Sequence, residues 1–242
     1  QIKEAARQSV PTLLKYAGEI PYLREVCNEF SAVKVSPPET PVDWCTLVDY
    51  PQDAIDCLLA ASLYREQNID YAQALERVRL ASAKEKSDLL YCLLGDLDAH
   101  TIPARELEYA VFTFDLLMDQ GAYFEVKRHR MMTQTPQPLS TRLGYALPRQ
   151  MVAAGLETPF RQAMRAAQAC YDEIAAFNPH AASYVVPNAF NRRVLLGCNW
   201  RSLDHFTALR SAPNAHFALR RVAQRMAAQG RAPPPPLGSH PP

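Results

Sequence analysis

Two proline clusters decide where this chain can build a core. Ser36-Pro37-Pro38-Glu39-Thr40-Pro41 cannot continue a helix, because proline lacks the backbone N–H and its ring clashes with the preceding turn. Arg231–Pro242 contains four consecutive prolines, a composition that favours disorder or an extended polyproline helix over packing. The foldable stretch is therefore residues 42–229, with a helical lead-in and linker at 1–41 and a Pro-rich tail at 230–242. At 48% hydrophobic and 21% charged, the chain has enough apolar material for one large domain.

Strand and helix signals alternate within that stretch. Val42–Asp49 reads as a strand carrying Trp44, Leu47 and Val48. Pro51-Gln52-Asp53 opens a helix to about Glu66, apolar at Ile55, Leu58, Leu59 and Leu63. Asp70 can cap a second helix to about Leu80, and Ser82 a third that Gly95 ends. Val111-Phe112-Thr113-Phe114 is a candidate strand, and a helix is expected from Leu116 to about Arg130. Gly121 costs that helix about 1 kcal/mol of propensity and points to close backbone packing. Thr158-Pro159 reads as a cap and first helical position for a helix to about Phe177. A short strand near Val194–Cys198 leads into a helix from about Arg201, which breaks at Pro213 and resumes through Leu219, Val222 and Met226.

The net charge of +1 hides a division. Residues 1–125 carry 11 Lys/Arg against 21 Asp/Glu, and residues 126–242 carry 15 against 4. Such a basic half either takes anionic ligands or packs on the acidic half. The six cysteines show no CxxC and no paired spacing, and several sit in apolar runs. They read as buried free thiols in a reducing, cytoplasmic setting. No signal peptide or membrane-spanning apolar run is visible. A start at Gln1 reads as a fragment or a processed form.

Three segments carry the chemistry. Arg128-His129-Arg130 is followed, after a short polar loop containing prolines, by Ser140-Thr141-Arg142, with no acidic residue between Val126 and Leu156. Guanidinium forks match phosphate and carboxylate oxygens, so this cluster is either a solvated face or an anion pocket. His100-Thr101-Ile102-Pro103 precedes Glu108-Tyr109 and Phe112-Thr113-Phe114. Asn199 and Arg201 sit at a strand-to-helix turn, where helix N-terminal N–H groups favour anions. His205 and Arg210 follow in that helix, offset by about 140°, so they can line different walls of one pocket. Blander roles compete. His129 can be a satisfied structural histidine, and Met131-Met132 core or interface packing. Arg192-Arg193 and Arg220-Arg221 can be solvated or interface charges. His100 with Glu106 and Glu108 fits no standard metal-ligand spacing, and Ser140 lacks the G-x-S-x-G elbow of a hydrolase.

With these segments in order, residues 42–226 resemble the flavin-dependent thymidylate synthases. That family shows an Arg-His-Arg element, a loop and Ser-x-Arg. It also shows a downstream Asn-x-Arg-Ser-Leu-x-x-Phe-x-x-Leu-Arg helix and an upstream His-x-x-Pro…Glu…Phe-Thr-Phe segment. The resemblance implies an α+β fold, a mixed sheet with flanking helices, assembled as a homotetramer or as a dimer of tandem chains with sites at subunit interfaces. It implies FAD reduced by NADPH, and a one-carbon unit passed from methylenetetrahydrofolate to dUMP without a cysteine nucleophile. By position, His100, Arg128, His129, Arg130, Asn199, Arg201 and His205 would face FAD. Ser140, Arg142 and Arg210 would face dUMP, with Arg210 catalytic: a guanidinium beside the uracil ring favours negative charge on it.

The chain departs from the family pattern at named positions. The loop between Arg130 and Ser140 is longer and is stiffened by Pro136 and Pro138. Glu125 stands for a Gln, Ser183 for an Arg, His205 for an Asn and Asn214 for a His, and an insertion precedes Glu108. A lost charged hydrogen bond to phosphate costs about 1.5–3 kcal/mol. Residues 1–40 do not match the start of the family domain and read as the tail of a preceding copy. Three functional classes follow: an active flavin-dependent methyltransferase, a catalytically degenerate nucleotide-binding or scaffold paralogue, and a nucleic-acid-binding module. Against the last, no aromatics interleave with the basic cluster. No membrane association is expected.

Overall fold

The computed structural model describes residues 2–18, 20–36, 43–95, 97–98 and 101–230. The proline linker at 37–41, His100 and the Pro-rich tail from Arg231 lie outside the described residues. The chain divides into two compact units, residues 1–42 and 43–242. The first holds helices α1 (Ile2–Ala6), α2 (Pro11–Leu14) and α3 (Pro21–Ala32), and none of their residues is buried.

The second unit is built on a four-stranded sheet: β1 (Cys45–Asp49), β2 (Val111–Asp119), β3 (Thr133–Pro136) and β4 (Asn191–Asn199). Its order is β1-β2-β4-β3 and every pairing is antiparallel. Between β1 and β2 lie α4 (Ala54–Glu66), α5 (Tyr71–Arg79) and α6 (Ala83–Leu94). Asp70 and Ser82 cap α5 and α6 with full capping boxes, as their sequences predict. After β2 comes α7 (Gln120–Val126), and after β3 come α8 (Arg149–Ala153), α9 (Glu157–Phe177) and α10 (Pro179–Ala182). After β4 come α11 (Trp200–Ser211) and α12 (Phe217–Gly230), separated at Pro213.

The helix expected over Leu116–Arg130 is corrected to a longer strand and a shorter helix. Leu116 and Met118 are buried and Leu117 between them is half-exposed, a period of two. All nine residues of β2 pair with the nine of β4. The helix begins only at Gln120, where Asp119 caps it through the Ala122 N–H at 2.8 Å. Gly121 is packed as expected: a Cβ there would lie 3.0 Å from Asp119 Oδ1. The segment after Arg130, expected as a loop, forms β3. Thr158 does not cap α9, which begins at Glu157 with no side-chain cap.

The main core joins one face of the sheet to the helices. Phe112, Phe114, Leu116 and Met118 of β2 and Val194, Leu196 and Cys198 of β4 meet Leu58, Val126, Leu203, Phe206, Leu219 and Met226. Burying a side chain of this size stabilises by about 1.5–3 kcal/mol. Gln229 of α12 closes the β1 edge: its Oε1 accepts from the Leu47 N–H at 2.8 Å and its Nε2 donates to the Cys45 carbonyl at 2.7 Å. A satellite cluster packs Met164 and Tyr171 of α9 on Ala182, Val186 and Phe190.

The cysteine expectation holds for Cys45 and Cys198, whose thiols burial pushes up to about 12. It fails for Cys27, Cys92 and Cys170, which are exposed. The charge division proves to be partly internal. Arg193–Asp115, Arg201–Glu108, Arg210–Glu125, Arg128–Glu125 and Arg225–Asp43 all join the basic half to the acidic half. Arg192 stacks on the Tyr123 ring at 4.8 Å and Arg221 on the Trp44 ring at 4.6 Å. Arg220 donates to the Pro213 and Ala215 carbonyls. These four arginines have intramolecular partners and are not simply solvated. Among the described residues no helix is long and apolar enough to cross a membrane.

Candidate functional site

Two elements build the site. Asn199, last in β4, takes an extended backbone and caps α11, accepting the Ser202 N–H at 2.8 Å. The cap starts α11 at the end of the sheet, so Arg201, Asp204, His205 and Ala208 face one side. The turn after α7 brings in the second element. Gln134 holds that turn, donating to the Val126 carbonyl at 3.3 Å and the His129 carbonyl at 3.0 Å. Between the two elements and the residues Leu97, Asp98, Thr101, Ile102 and Pro103 lies a cavity of about 960 Å³, the size range of a large cofactor site.

Arg128, His129, Arg130, Arg201 and His205 all line this cavity. Asn199 does not line it, but holds the helix that does. Met131 and Met132 border it as well, Met132 buried and Met131 exposed. Arg201 is braced twice: its Nε donates to the Pro103 carbonyl at 3.1 Å and its Nη1 to Glu108 at 2.9 Å. Arg105 and Arg201 together hold the Glu108 carboxyl below its usual range. Asp98, also on the cavity, accepts from the Thr101 N–H and hydroxyl, both at 2.6 Å. Arg130 is exposed, and among the described residues its guanidinium has no partner.

Arg210 does not line the cavity. It stands behind His129, its Nε donating to His129 Nε2 at 2.9 Å and its Nη1 reaching Glu125 at 3.4 Å. The pair expected to line two walls of one pocket is therefore split, with His205 on the cavity and Arg210 one layer back. His129 accepts at Nε2, so its ring proton belongs on Nδ1. Burial, helped by the positive charge of Arg210 and by His205, pushes its pKa down to about 4, which keeps it neutral. Phe206 packs edge-on against it, with ring centroids 4.8 Å apart.

Ser140 and Arg142 lie elsewhere. The loop holding them is tied to the start of β4: Gln137 donates to the Arg193 carbonyl, and Asn191 pairs with Gly144 and Leu143. The cavity residues follow the end of β4, so about 25 Å of strand separates the two clusters. Ser183, where a cation is expected, donates its hydroxyl to the His180 carbonyl at 2.8 Å. The exchange of a Gln for Glu125 is legible in the sequence, but not that its carboxylate binds two arginines. Nothing in residue spacing reveals that Arg210 returns to residue 125.

The sequence matches the family model described as thymidylate synthase complementing protein over residues 46–235. A UPF0159 protein of Chlamydia muridarum (strain MoPn / Nigg) is 39% identical over 180 residues, 72% of this chain and 33% of that protein. A flavin-dependent thymidylate synthase of Geobacter sulfurreducens is 31% identical over 130 residues, 50% of this chain and 56% of that protein. The chain thus spans about a third of the length of the UPF0159 relative and about half that of the Geobacter one. The fold is similar to that of flavin-dependent thymidylate synthase ThyX from Helicobacter pylori, solved with FAD and dUMP. The TM-score is 0.56 at 17% identity, over 77% of this chain and 93% of that one, a likeness of fold alone. By the extent of the family match, this chain belongs to the thymidylate synthase complementing protein family.

Proposed function

We propose that this chain is a flavin-dependent thymidylate synthase-like protein, converting dUMP to dTMP with methylenetetrahydrofolate, FAD and NADPH. The observation that carries the reading is the convergence of Arg128, His129, Arg130, Arg201 and His205 on one cavity. The residues present fit a flavin dinucleotide. The volume suffices, and three guanidinium groups and the N-terminus of α11 supply positive potential for a pyrophosphate. Arg130 and Arg128 would hold that pyrophosphate, and braced Arg201 and His205 would orient the rest. When bound, the flavin supplies the hydride chemistry that NADPH recharges. The chain's own part is to bind, orient and set charge: neutral His129 offers an N–H donor, and Arg210, one layer behind it, would add the positive potential that favours negative charge on the pyrimidine.

The separation of Ser140 and Arg142 from the cavity supports a site shared between copies. One copy would offer the flavin cavity and another the Ser140–Arg142 loop to dUMP. The test is dTMP formation by the purified protein supplied with all four small molecules. The reading expects turnover in the wild type and none in Arg210→Ala. A second reading is a paralogue that binds nucleotide without turnover. The engagement of Arg210 by Glu125 and His129, and the uncharged Ser183, favour it. Flavin binding with no dTMP formed would select it.

A further inference from the structure

The Glu125 carboxylate sits between two arginines with different surroundings. One oxygen takes Arg128 at 2.9 Å, where the guanidinium is 70% exposed on the cavity rim. The other takes Arg210 at 3.4 Å, where the guanidinium is only 18% exposed behind His129. We propose that Glu125 is a built-in competitor for the anion that this cavity takes. It occupies Arg128 in the ligand-free protein, releases it to an incoming phosphate or pyrophosphate group, and then closes on Arg210.

Magnitudes favour this direction. An exposed ion pair such as Arg128–Glu125 contributes little, because water and salt screen it and two long side chains must be held still. A phosphate group offers Arg128 more charge and a bidentate match. The Arg210 pair is more enclosed, and its 3.4 Å length leaves room to shorten. Arg201 cannot be handed over as cheaply, since Glu108 and the Pro103 carbonyl hold it from two sides. An anion would therefore meet Arg130 first and then draw Arg128 from Glu125. This also gives a physical role to the carboxylate that the family pattern fills with an amide.

The inference rests on the cavity being an anion site, as the proposed function requires, and its test separates the two. Pyrophosphate binding is measured by calorimetry on the wild type, Glu125→Gln, Arg128→Gln and the double variant. The expectation is about two- to fivefold tighter binding in Glu125→Gln, from loss of the competing ion pair, and no gain from the same change on Arg128→Gln. FAD should repeat the pattern, and riboflavin, which has no phosphate, should show none of it. An equal gain in both backgrounds would mean a diffuse charge effect and overturn the proposal. So would no gain, or a wild type that does not bind pyrophosphate. Pyrophosphate binding without FAD binding would sink the flavin reading and leave the role of Glu125 standing. FAD held equally by all four proteins would do the reverse.

Discussion

The protein builds the same turn twice and uses it differently. β2 ends in Asp119, which caps α7, and β4 ends in Asn199, which caps α11, each accepting an N–H at 2.8 Å. The next residue in each case reaches across to the other strand: Gln120 N–H to the Phe190 carbonyl and Trp200 N–H to the Ala110 carbonyl, both at 2.9 Å. The backbone construction is repeated about a local two-fold, and the side chains set the outcome. At the α7 turn a charged carboxylate offsets the helix dipole, and Arg192 is consumed by Gln120 and the Tyr123 ring. At the α11 turn the cap is a neutral amide, so the dipole stays available to a ligand, and the helix runs on to present Arg201 and His205 to the cavity. One turn is structural, the other a candidate anion site, and the distinction lies in the side chains around each turn, the Asp or Asn cap among them.

The largest expected effects come from removing a core aromatic beside each turn. Phe206→Ala should cost about 3–5 kcal/mol in denaturant unfolding and also remove flavin binding, because Phe206 is buried against His129. Tyr123→Ala should destabilise the fold but leave flavin affinity in the folded fraction unchanged. The comparison breaks if Tyr123→Ala loses flavin and Phe206→Ala keeps it. Next in size is Arg130→Ala, which should weaken FAD binding by about tenfold or more with no change in melting temperature, because it removes a charged hydrogen bond. Arg192→Ala should do the opposite, lowering the melting temperature and sparing FAD, since its partners are all internal.

The neutrality of His129 sharpens the same contrast through pH. Its folded pKa of about 4 lies below the ordinary 6.5, so folding favours the neutral form. The stability this contributes is present above pH 6.5 and is lost as pH falls toward 4. Wild-type protein should therefore lose more stability across that window than His129→Gln does, measured by urea unfolding at a series of pH values. Equal losses would mean His129 is not held neutral. The smallest effect expected is the exchange of caps. Asn199→Asp should keep stability, since both residues cap well, and weaken FAD binding by about two- to fivefold through charge on the dipole. Asp119→Asn should leave FAD binding unchanged.

Local signals were legible wherever one residue type has one physical use. Asp70 and Ser82, each followed three residues later by a reciprocating side chain, announce their helices. Strand length was harder to read. Leu116-Leu117-Met118 looks like helix interior, and only the full ladder with β4 makes it strand. Thr133–Pro136 looks like loop, and pairing with β4 supplies the order that its propensity lacks. The basic residues from Arg128 to Arg142 could be picked out because no acidic residue lies between Val126 and Leu156. Their division could not. Arg210 meets Glu125 across 85 residues, and Ser140 and Arg142 lie a strand length from the cavity. Those are facts of topology.

The cavity beside α11 is proposed to hold a flavin dinucleotide. It is tested most directly by the visible absorption spectrum of the purified protein after incubation with FAD and desalting. A retained flavin spectrum that bleaches with NADPH and recovers with oxygen is expected, and its loss in Arg130→Ala. A protein that emerges without flavin, or one that keeps it equally well without Arg130, would contradict it.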